Sequence, residues 1–231
     1  MKTIITLALL VVSINGAAQN QWFYTYTDSI ALVRDANEIS NKFLSDIKHI
    51  EPKIQFEGKT ILDTSPYLIY YGFDKNIHLP LWEQVLPELK AFFTDIAGSE
   101  EAGATMFGLF FNGFYLPHEL GHALQDVAKG NLGQSYKGEY LANTIAILWW
   151  RKNGNLKELE QCYHLAKKMV NKLPNPVPEG VSIEHYFTEN YGTATQGPYI
   201  YGYMQFKQFV EIYETKTLPD FNTFIETFLK E

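Results

Sequence analysis

The stretch Pro117-His118-Glu119-Leu120-Gly121-His122 contains the pattern His-Glu-x-x-His. The spacing of apolar residues around it predicts a helix from about Leu116 to Ala128. On a helix, His118 and His122 lie one turn apart on the same face, where two imidazoles can bind one Zn²⁺ ion. Glu119 leans toward that face and can reach a water at the metal without being a ligand. The pattern therefore predicts a helix that presents a metal site.

The opposite face of this predicted helix is apolar. It is formed by Leu116, Leu120, Ala123, Leu124 and Val127. A helix that presents a metal site requires one apolar side that can be buried and an opposite side that carries the histidines and the glutamate. The alternative is a pair of satisfied or surface histidines on a core helix, since the five-residue pattern arises by chance about once in a hundred chains of this composition.

A catalytic zinc site needs a third protein ligand. The pattern with a third histidine six residues after His122 is excluded, because that position is Ala128. Asp126 on the same helix would lie about 12 Å from the first ligand along the helix axis. Glu139 stands at the start of the next predicted helix, and an antiparallel helix pair would return it to the histidine face. Asn143, one turn later, is placed to accept the ring N–H of a ligating histidine.

The two segments His118-Glu119-Leu120-Gly121-His122 and Glu139-Tyr140-Leu141-Ala142-Asn143 resemble the active-site signature of the gluzincin metallopeptidases, the thermolysin-like class. The resemblance covers about 30 residues, from Phe111 to Asn143. It implies a set of site residues with assigned roles: His118, His122 and Glu139 as zinc ligands, Glu119 as general base, and Asn143 as the support of a histidine. It also implies a peptide or protein substrate.

The chain departs from this signature at two points. Position 143 is Asn where the class usually has Asp, so the supported histidine is expected to be less strongly polarised. The 17 positions from His122 to Glu139 are slightly fewer than in the larger members of the class.

Thermolysin-like enzymes stabilise the tetrahedral oxyanion with a downstream His or Tyr in addition to zinc. The candidates in this chain are His185, Tyr191, Tyr199 and Tyr201. We assign His185 and Tyr191 to the catalytic site as hypotheses. The alternative for His185 is a capped or exposed helix histidine, and for each tyrosine it is a place in the core or at the rim.

The amino terminus has the layout of a secretory signal peptide. Met1-Lys2-Thr3 supplies a positive charge, Ile4 to Ile14 is apolar, and Gly16-Ala17-Ala18 supplies small residues. We therefore expect cleavage after Ala18, and a secreted or periplasmic protein. The apolar run is shorter than the ~20 residues that a membrane span needs, so no membrane anchor is expected after cleavage.

The composition excludes several other classes of protein. An apolar share of 46% and a charged share of 19% indicate a globular chain rather than a disordered one. The net charge of −7 argues against a nucleic-acid partner. A single cysteine, Cys162, excludes a disulfide scaffold and a Cys-rich zinc ribbon. Packing of the abundant aromatic residues must therefore supply the stability.

Periodicity predicts a fold in the α+β class that is predominantly helical, with a small N-terminal sheet and a helical C-terminal half. The predicted strands are Lys53 to Gly58, Tyr67 to Tyr71 and Thr105 to Phe111, the last followed by a turn at Asn112-Gly113. Predicted helices cover about 28–51, 82–96, 116–128, 136–152, 156–173, 182–190, 198–214 and 219–230. With the resemblance, this pattern indicates one zincin-like metallopeptidase domain over residues 19–231.

Three functions are compatible with the sequence. The first is an exported zinc metallopeptidase. The second is a catalytically inactive zincin-like domain that serves in binding or as a scaffold. The third is a zinc hydrolase of a non-peptide amide or ester, because the same ligands serve that chemistry.

Overall fold

The computed structural model describes residues 22–56, 59–65, 68–130 and 133–230. The predicted signal peptide, residues 1–18, lies outside these ranges. Within them, the chain is predominantly helical with a small three-stranded sheet, which agrees with the predicted α+β class. No helix of the described part is both long and apolar enough to cross a membrane.

The helices and strands follow one another with the sheet near the amino terminus. The helices are α1 (Ser29–Ile50), α2 (Pro87–Ala97), α3 (Glu100–Phe107), α4 (Tyr115–Lys129), α5 (Tyr136–Lys152), α6 (Leu156–Lys172), α7 (Ile183–Ala194), α8 (Pro198–Glu214) and α9 (Phe221–Lys230). The strands are β1 (Thr60–Leu62), β2 (Tyr70–Tyr71) and β3 (Ile77–Leu79). Seven of the predicted helices match a helix of this set to within a few residues.

The sheet has the order β1-β3-β2, with β1 parallel and β2 antiparallel to β3. The prediction of a strand at Lys53 to Gly58 is wrong over its described part, because residues 53–56 form a turn and coil. Phe56 is buried against Phe43 of α1 instead of entering the sheet. In the described part of the second predicted strand, only Tyr70 and Tyr71 are in the sheet. The central strand β3 was not predicted, since it is too short to produce an alternating pattern.

The predicted strand at Thr105 to Phe111 is wrong, and so is the turn at Asn112-Gly113. This region continues α3 as a π-helical segment, Gly108–Phe114, that runs directly into α4. Its aromatic residues favour strands by propensity, but a short apolar run that is buried on all sides does not distinguish a strand from a helix. The backbone of Tyr24 and Thr25 passes so close to Gly108 that an added Cβ there would lie 2.6 Å from it.

The predicted helix at 82–96 is divided in two. A 3₁₀ turn covers Trp82–Gln84, and α2 begins only at Pro87. Proline lacks the N–H that would continue a helix and restricts the residue before it, so it starts a new helix at this point. Gly98 ends α2 in a left-handed conformation with φ +103°.

Helix α5 is central to the packing, since it contacts α4 and α8 and also α6, α7 and α9. Trp149 and Trp150 of α5 are at most 1% exposed and pack in the core. Cys162 of α6 is buried and free. Aromatic and aliphatic packing therefore takes the place of cross-links in the described part of the chain.

Candidate metal centre

Helix α4 carries the His-Glu-x-x-His residues into the interior. Its apolar side is buried as predicted at Leu116, Leu120, Ala123 and Leu124, whereas Val127 is exposed. The opposite side is also buried: His118, Glu119 and His122 are each less than 10% exposed. Gly130 ends the helix in a left-handed conformation with φ +69°. The pair of histidines thus lies inside the protein, one turn apart.

The start of α5 returns Glu139 to these histidines. Ser135 caps α5, and its side chain accepts a hydrogen bond from the N–H of Gly138. Gln125 of α4 donates to the carbonyl oxygen of Gly138 at 3.1 Å, which connects the two helices at this end. Glu139, in the first turn of α5, is 3% exposed. The antiparallel helix pair expected from the sequence therefore brings all three predicted ligands together.

Three potential ligand atoms converge. The Nε2 atoms of His118 and His122 are 3.1 Å apart, and the Glu139 Oε2 atom lies 3.2 Å from the first and 3.4 Å from the second. In a tetrahedral zinc site with bonds of about 2.0–2.1 Å, neighbouring ligand atoms are about 3.3 Å apart. The donor set and its spacing therefore fit zinc.

Asn143 fixes which ring nitrogen of His118 faces the centre. Its Oδ1 atom lies 2.9 Å from Nδ1 of His118, and its Nδ2 atom donates to other residues. The His118 Nδ1 atom must therefore carry a proton, which leaves Nε2 as the ring atom that faces the centre and can ligate a metal through its lone pair. A lone pair beside the Glu139 carboxylate is favourable only when a cation or a proton lies between them.

Glu139 is held at both carboxylate oxygens. Tyr191 of α7 donates its hydroxyl to Oε1 at 2.5 Å, and Gln205 of α8 donates its amide to Oε2 at 2.7 Å. Burial alone would raise the pKa of Glu139, but the neighbouring His122 and His118 hold it well below its ordinary value. The carboxylate is therefore ionised and oriented, as a metal ligand must be.

Glu119 lies beside the three ligands and contacts the sheet. The backbone N–H of Tyr71, in β2, donates to Glu119 Oε2 at 2.9 Å. The Tyr71 hydroxyl in turn donates to Asp126 of α4 at 3.0 Å, which holds this strand on the helix. Burial raises the pKa of Glu119, and the adjacent histidines only partly oppose this. A carboxyl group with a raised pKa is suited to accept a proton and return it.

The four downstream candidates lie in different environments. Tyr191 contacts Glu139, and Tyr201 accepts a hydrogen bond from Gln205 at 2.8 Å, so both belong to the centre. Tyr199 is 44% exposed, with its ring edge against Phe92 of α2. His185 is exposed in the first turn of α7, where its backbone N–H donates to the capping Ser182. The structure therefore brings two of the tyrosines to the site, but neither His185 nor Tyr199.

Sequence reasoning missed three contributors to this site: the N–H of Tyr71 and the side chains of Gln205 and Gln208. The backbone contribution of Tyr71 has no signal in the sequence. The two glutamines are three residues apart in the aromatic-rich helix α8, and both are at most 3% exposed. Two polar residues at helical spacing on a face that is otherwise buried could have indicated them.

The arrangement combines three converging ligand atoms, a buried carboxyl group and two tyrosine hydroxyls. It can hold a divalent metal ion beside a general base, and metal-assisted hydrolysis requires these two components. Among the described residues, His118, His122 and Glu139 form the one group of His, Cys, Asp or Glu side chains that is close enough to share an ion. Comparisons of the chain with protein-family models, with curated proteins and with solved structures found no match.

Proposed function

We propose that the protein is an exported, zinc-dependent metallopeptidase with a zincin-like fold. The observation that carries this proposal is the spacing of 3.1–3.4 Å between the ligand atoms of His118, His122 and Glu139. Glu119 lies beside them with a raised pKa, as expected for a general base. The proposed domain extends over residues 19–231, after removal of the signal peptide.

Each residue of the site would have a separate role in hydrolysis. His118, His122 and Glu139 would hold zinc, which when bound polarises a carbonyl group and lowers the pKa of a water. Glu119 would take the proton of the attacking water and pass it to the leaving amine. The Tyr71 N–H keeps one oxygen of Glu119 in place during this transfer.

The arrangement of the sheet supports a zincin-like fold. Strand β2 lies at the edge of the sheet, and its backbone contacts the helix that carries the His-Glu-x-x-His residues. The next helix supplies the glutamate ligand, as in the gluzincin signature. The departure at position 143 does not argue against a site, since Asn143 accepts the ring N–H of His118.

The test compares the purified protein with its Glu119→Gln variant. We measure zinc content and then digest a peptide library, with cleavage followed by mass spectrometry. Both proteins should contain about one zinc per chain, and the variant should cleave at least about 100-fold more slowly because it lacks the general base. Glu160→Gln, the same change at an exposed position of α6, is the matched control and should behave as the wild type.

The other outcomes separate the alternatives. A zinc-free wild-type protein would contradict the metal site. Bound zinc without cleavage of any peptide, but with turnover in an ester and amide panel, would indicate a hydrolase of non-peptide substrates. Bound zinc without turnover of either panel would indicate a binding or scaffold domain.

A further inference from the structure

Three side-chain amides connect α5 to α8 beside the candidate metal centre. Asn143 and Gln208 are completely buried, and Gln205 is 3% exposed. The Asn143 Nδ2 atom donates to Oε1 of Gln205 and to Oε1 of Gln208, both at 2.9 Å. These three residues form what we call the amide network. Each of the three amide groups is restricted to one orientation by its hydrogen-bond partners.

The direction of Gln205 is set by Glu139. A carboxylate can only accept hydrogen bonds, so the amide nitrogen of Gln205 must face it. The Nε2 atom lies 2.7 Å from Glu139 Oε2 and 2.8 Å from the Tyr201 hydroxyl. The amide oxygen of Gln205 must therefore face residue 143. A flip of this amide would place its oxygen against the buried carboxylate.

The direction of Gln208 is set by the backbone. Its Nε2 atom donates to the carbonyl oxygen of Tyr136 at 3.0 Å, and a carbonyl oxygen also only accepts. The oxygen of Gln208 must then face residue 143 as well. A flip of Gln208 would oppose two oxygens in a completely buried place, where an unpaired polar group is costly.

The side chain at position 143 must therefore contain both hydrogen-bond donors and an acceptor. It must donate to two amide oxygens and accept from the Nδ1–H of His118. Asparagine does both, whereas an ionised aspartate would bring a carboxylate oxygen against the two amide oxygens without a proton between them. The asparagine is therefore matched to the two glutamines of α8.

We propose that Gln205 and Gln208 are positioning residues for the metal ligands, and that Asn143 is required because of them. The network holds the ring of His118 through Asn143 and the carboxylate of Glu139 through Gln205. This inference rests on the proposed zinc site. It implies that Asn143→Asp, which restores the residue usual in the gluzincin signature, weakens zinc binding here. The added negative charge attracts zinc, and the proposal holds that the conflict with the two amide oxygens outweighs this attraction.

The first experiment measures zinc affinity by competition with a chelator, and thermal unfolding of the metal-free protein. Asn143→Asp should lower the zinc affinity about 10- to 100-fold, the usual range when a residue that supports a ligand is lost. It should also lower the melting temperature of the metal-free form. Asn41→Asp, the same change at an exposed position of α1, is the control and should alter neither quantity.

The second experiment tests whether the loss acts through the glutamines. In a Gln205→Met/Gln208→Met background the two opposing oxygens are absent, so Asn143→Asp should lower the affinity by a much smaller factor than in the wild type. If that background does not fold, the same comparison is made with Gln208→Met alone. An equal factor in both backgrounds would overturn the proposal, as would an Asn143→Asp protein that binds zinc as tightly as the wild type.

These readouts separate this inference from the proposed function. Peptide cleavage does not enter them, so an inactive protein that binds zinc still tests the network. If the wild type binds no zinc, the proposed function fails. The melting temperatures of the metal-free proteins then still test whether residue 143 must be asparagine in the amide network. Equal melting temperatures of wild-type and Asn143→Asp proteins would then contradict it.

Discussion

Gly121 of α4 lies directly against Ala142 of α5. A Cβ atom added to Gly121 would be 3.1 Å from the Cα atom of Ala142, which is closer than ordinary contact. Gly121 stands next to His122, and Ala142 stands next to Asn143. The close approach of the two helices, which brings Glu139 within reach of both histidines, therefore depends on the missing side chain of Gly121.

Gly121→Val is expected to weaken zinc binding and to destabilise the fold. The branched side chain forces α5 away from α4, and overpacking of this kind costs about 1–3 kcal/mol. Chelator competition and chemical unfolding measure the two effects. Gly192→Val is the control, because a Cβ at that position of α7 would have nothing within 4 Å. Wild-type affinity and stability in Gly121→Val would show that the helices do not depend on this contact.

Tyr191→Phe distinguishes a positioning role from a catalytic one. The hydroxyl of Tyr191 is engaged with Glu139, so its removal should lower the zinc affinity about tenfold. The turnover number of the zinc-loaded protein should then fall little. Unchanged affinity together with a turnover number that falls by about 100-fold or more would instead indicate that Tyr191 stabilises the oxyanion directly.

His185→Ala should leave both zinc affinity and peptide cleavage within about twofold of the wild type, since surface substitutions away from a site have small effects. The side chain is exposed on α7, away from the contacts that hold the ligands. Parallel titrations and rate measurements check this expectation. Cleavage slowed by about 100-fold or more would indicate that His185 acts in catalysis, which would require α7 to move during the reaction.

Asp46 should make stability depend on pH at the acid end. Burial raises the pKa of this carboxyl group, but the Trp149 indole, which donates at 2.9 Å, and Lys152 hold it below its ordinary value. A lowered folded-state pKa means that the ionised form stabilises the fold. This contribution is complete above the unfolded-state pKa of about 3.9 and is lost as the pH falls through the lower folded-state value.

Asp46→Asn should therefore lower the free energy of unfolding by about 1–2 kcal/mol near neutral pH. The difference from the wild type should shrink below about pH 4, because Asp46 of the unfolded chain takes up a proton there before Asp46 of the folded protein does. Urea unfolding at a series of pH values gives this curve, with the exposed Asp95→Asn as control. A difference that stays constant down to about pH 2 would contradict the ionic role of Asp46.

Most of the helices could be predicted because they carry local signals, whereas α3 was not predicted. Gly98 and Gly130 end their helices, and the apolar spacing of α1 and α8 indicates a buried side. The strands are two or three residues long, and the partners of β1 lie 17 residues along the chain in β3. Such partners are not visible in a local window. The misassigned strand at Thr105 to Phe111 shows the same limit, because the burial of every residue from Met106 to Phe110 removes the periodicity that separates helix from strand.

The three candidate ligands could be predicted because the His-Glu-x-x-His spacing is local and the next helix begins shortly afterwards. The contacts that orient them come from far along the chain: Gln205 is 66 residues from Glu139, and Tyr71 is 48 residues from Glu119. Tyrosine has no spacing rule that indicates such a role, and the three-residue spacing of Gln205 and Gln208 indicates a polar pair on a buried face but not its partners. The choice between His185 and the tyrosines likewise depended on which face of α7 and α8 turns inward.

The π-helical segment between α3 and α4 determines which side of α4 faces Glu139. A π-helix closes its hydrogen bonds one residue further along than an α-helix, so each of its turns holds about one residue more. The seven residues Gly108–Phe114 therefore turn through about the same angle as six residues of an α-helix at about 100° each. The segment accommodates one additional residue between α3 and α4 while His118 and His122 still face Glu139. Deletion of one of these residues is therefore expected to leave the orientation of α4 nearly unchanged, whereas insertion of a further residue without a second wide turn would rotate the two histidines by about 100° away from Glu139.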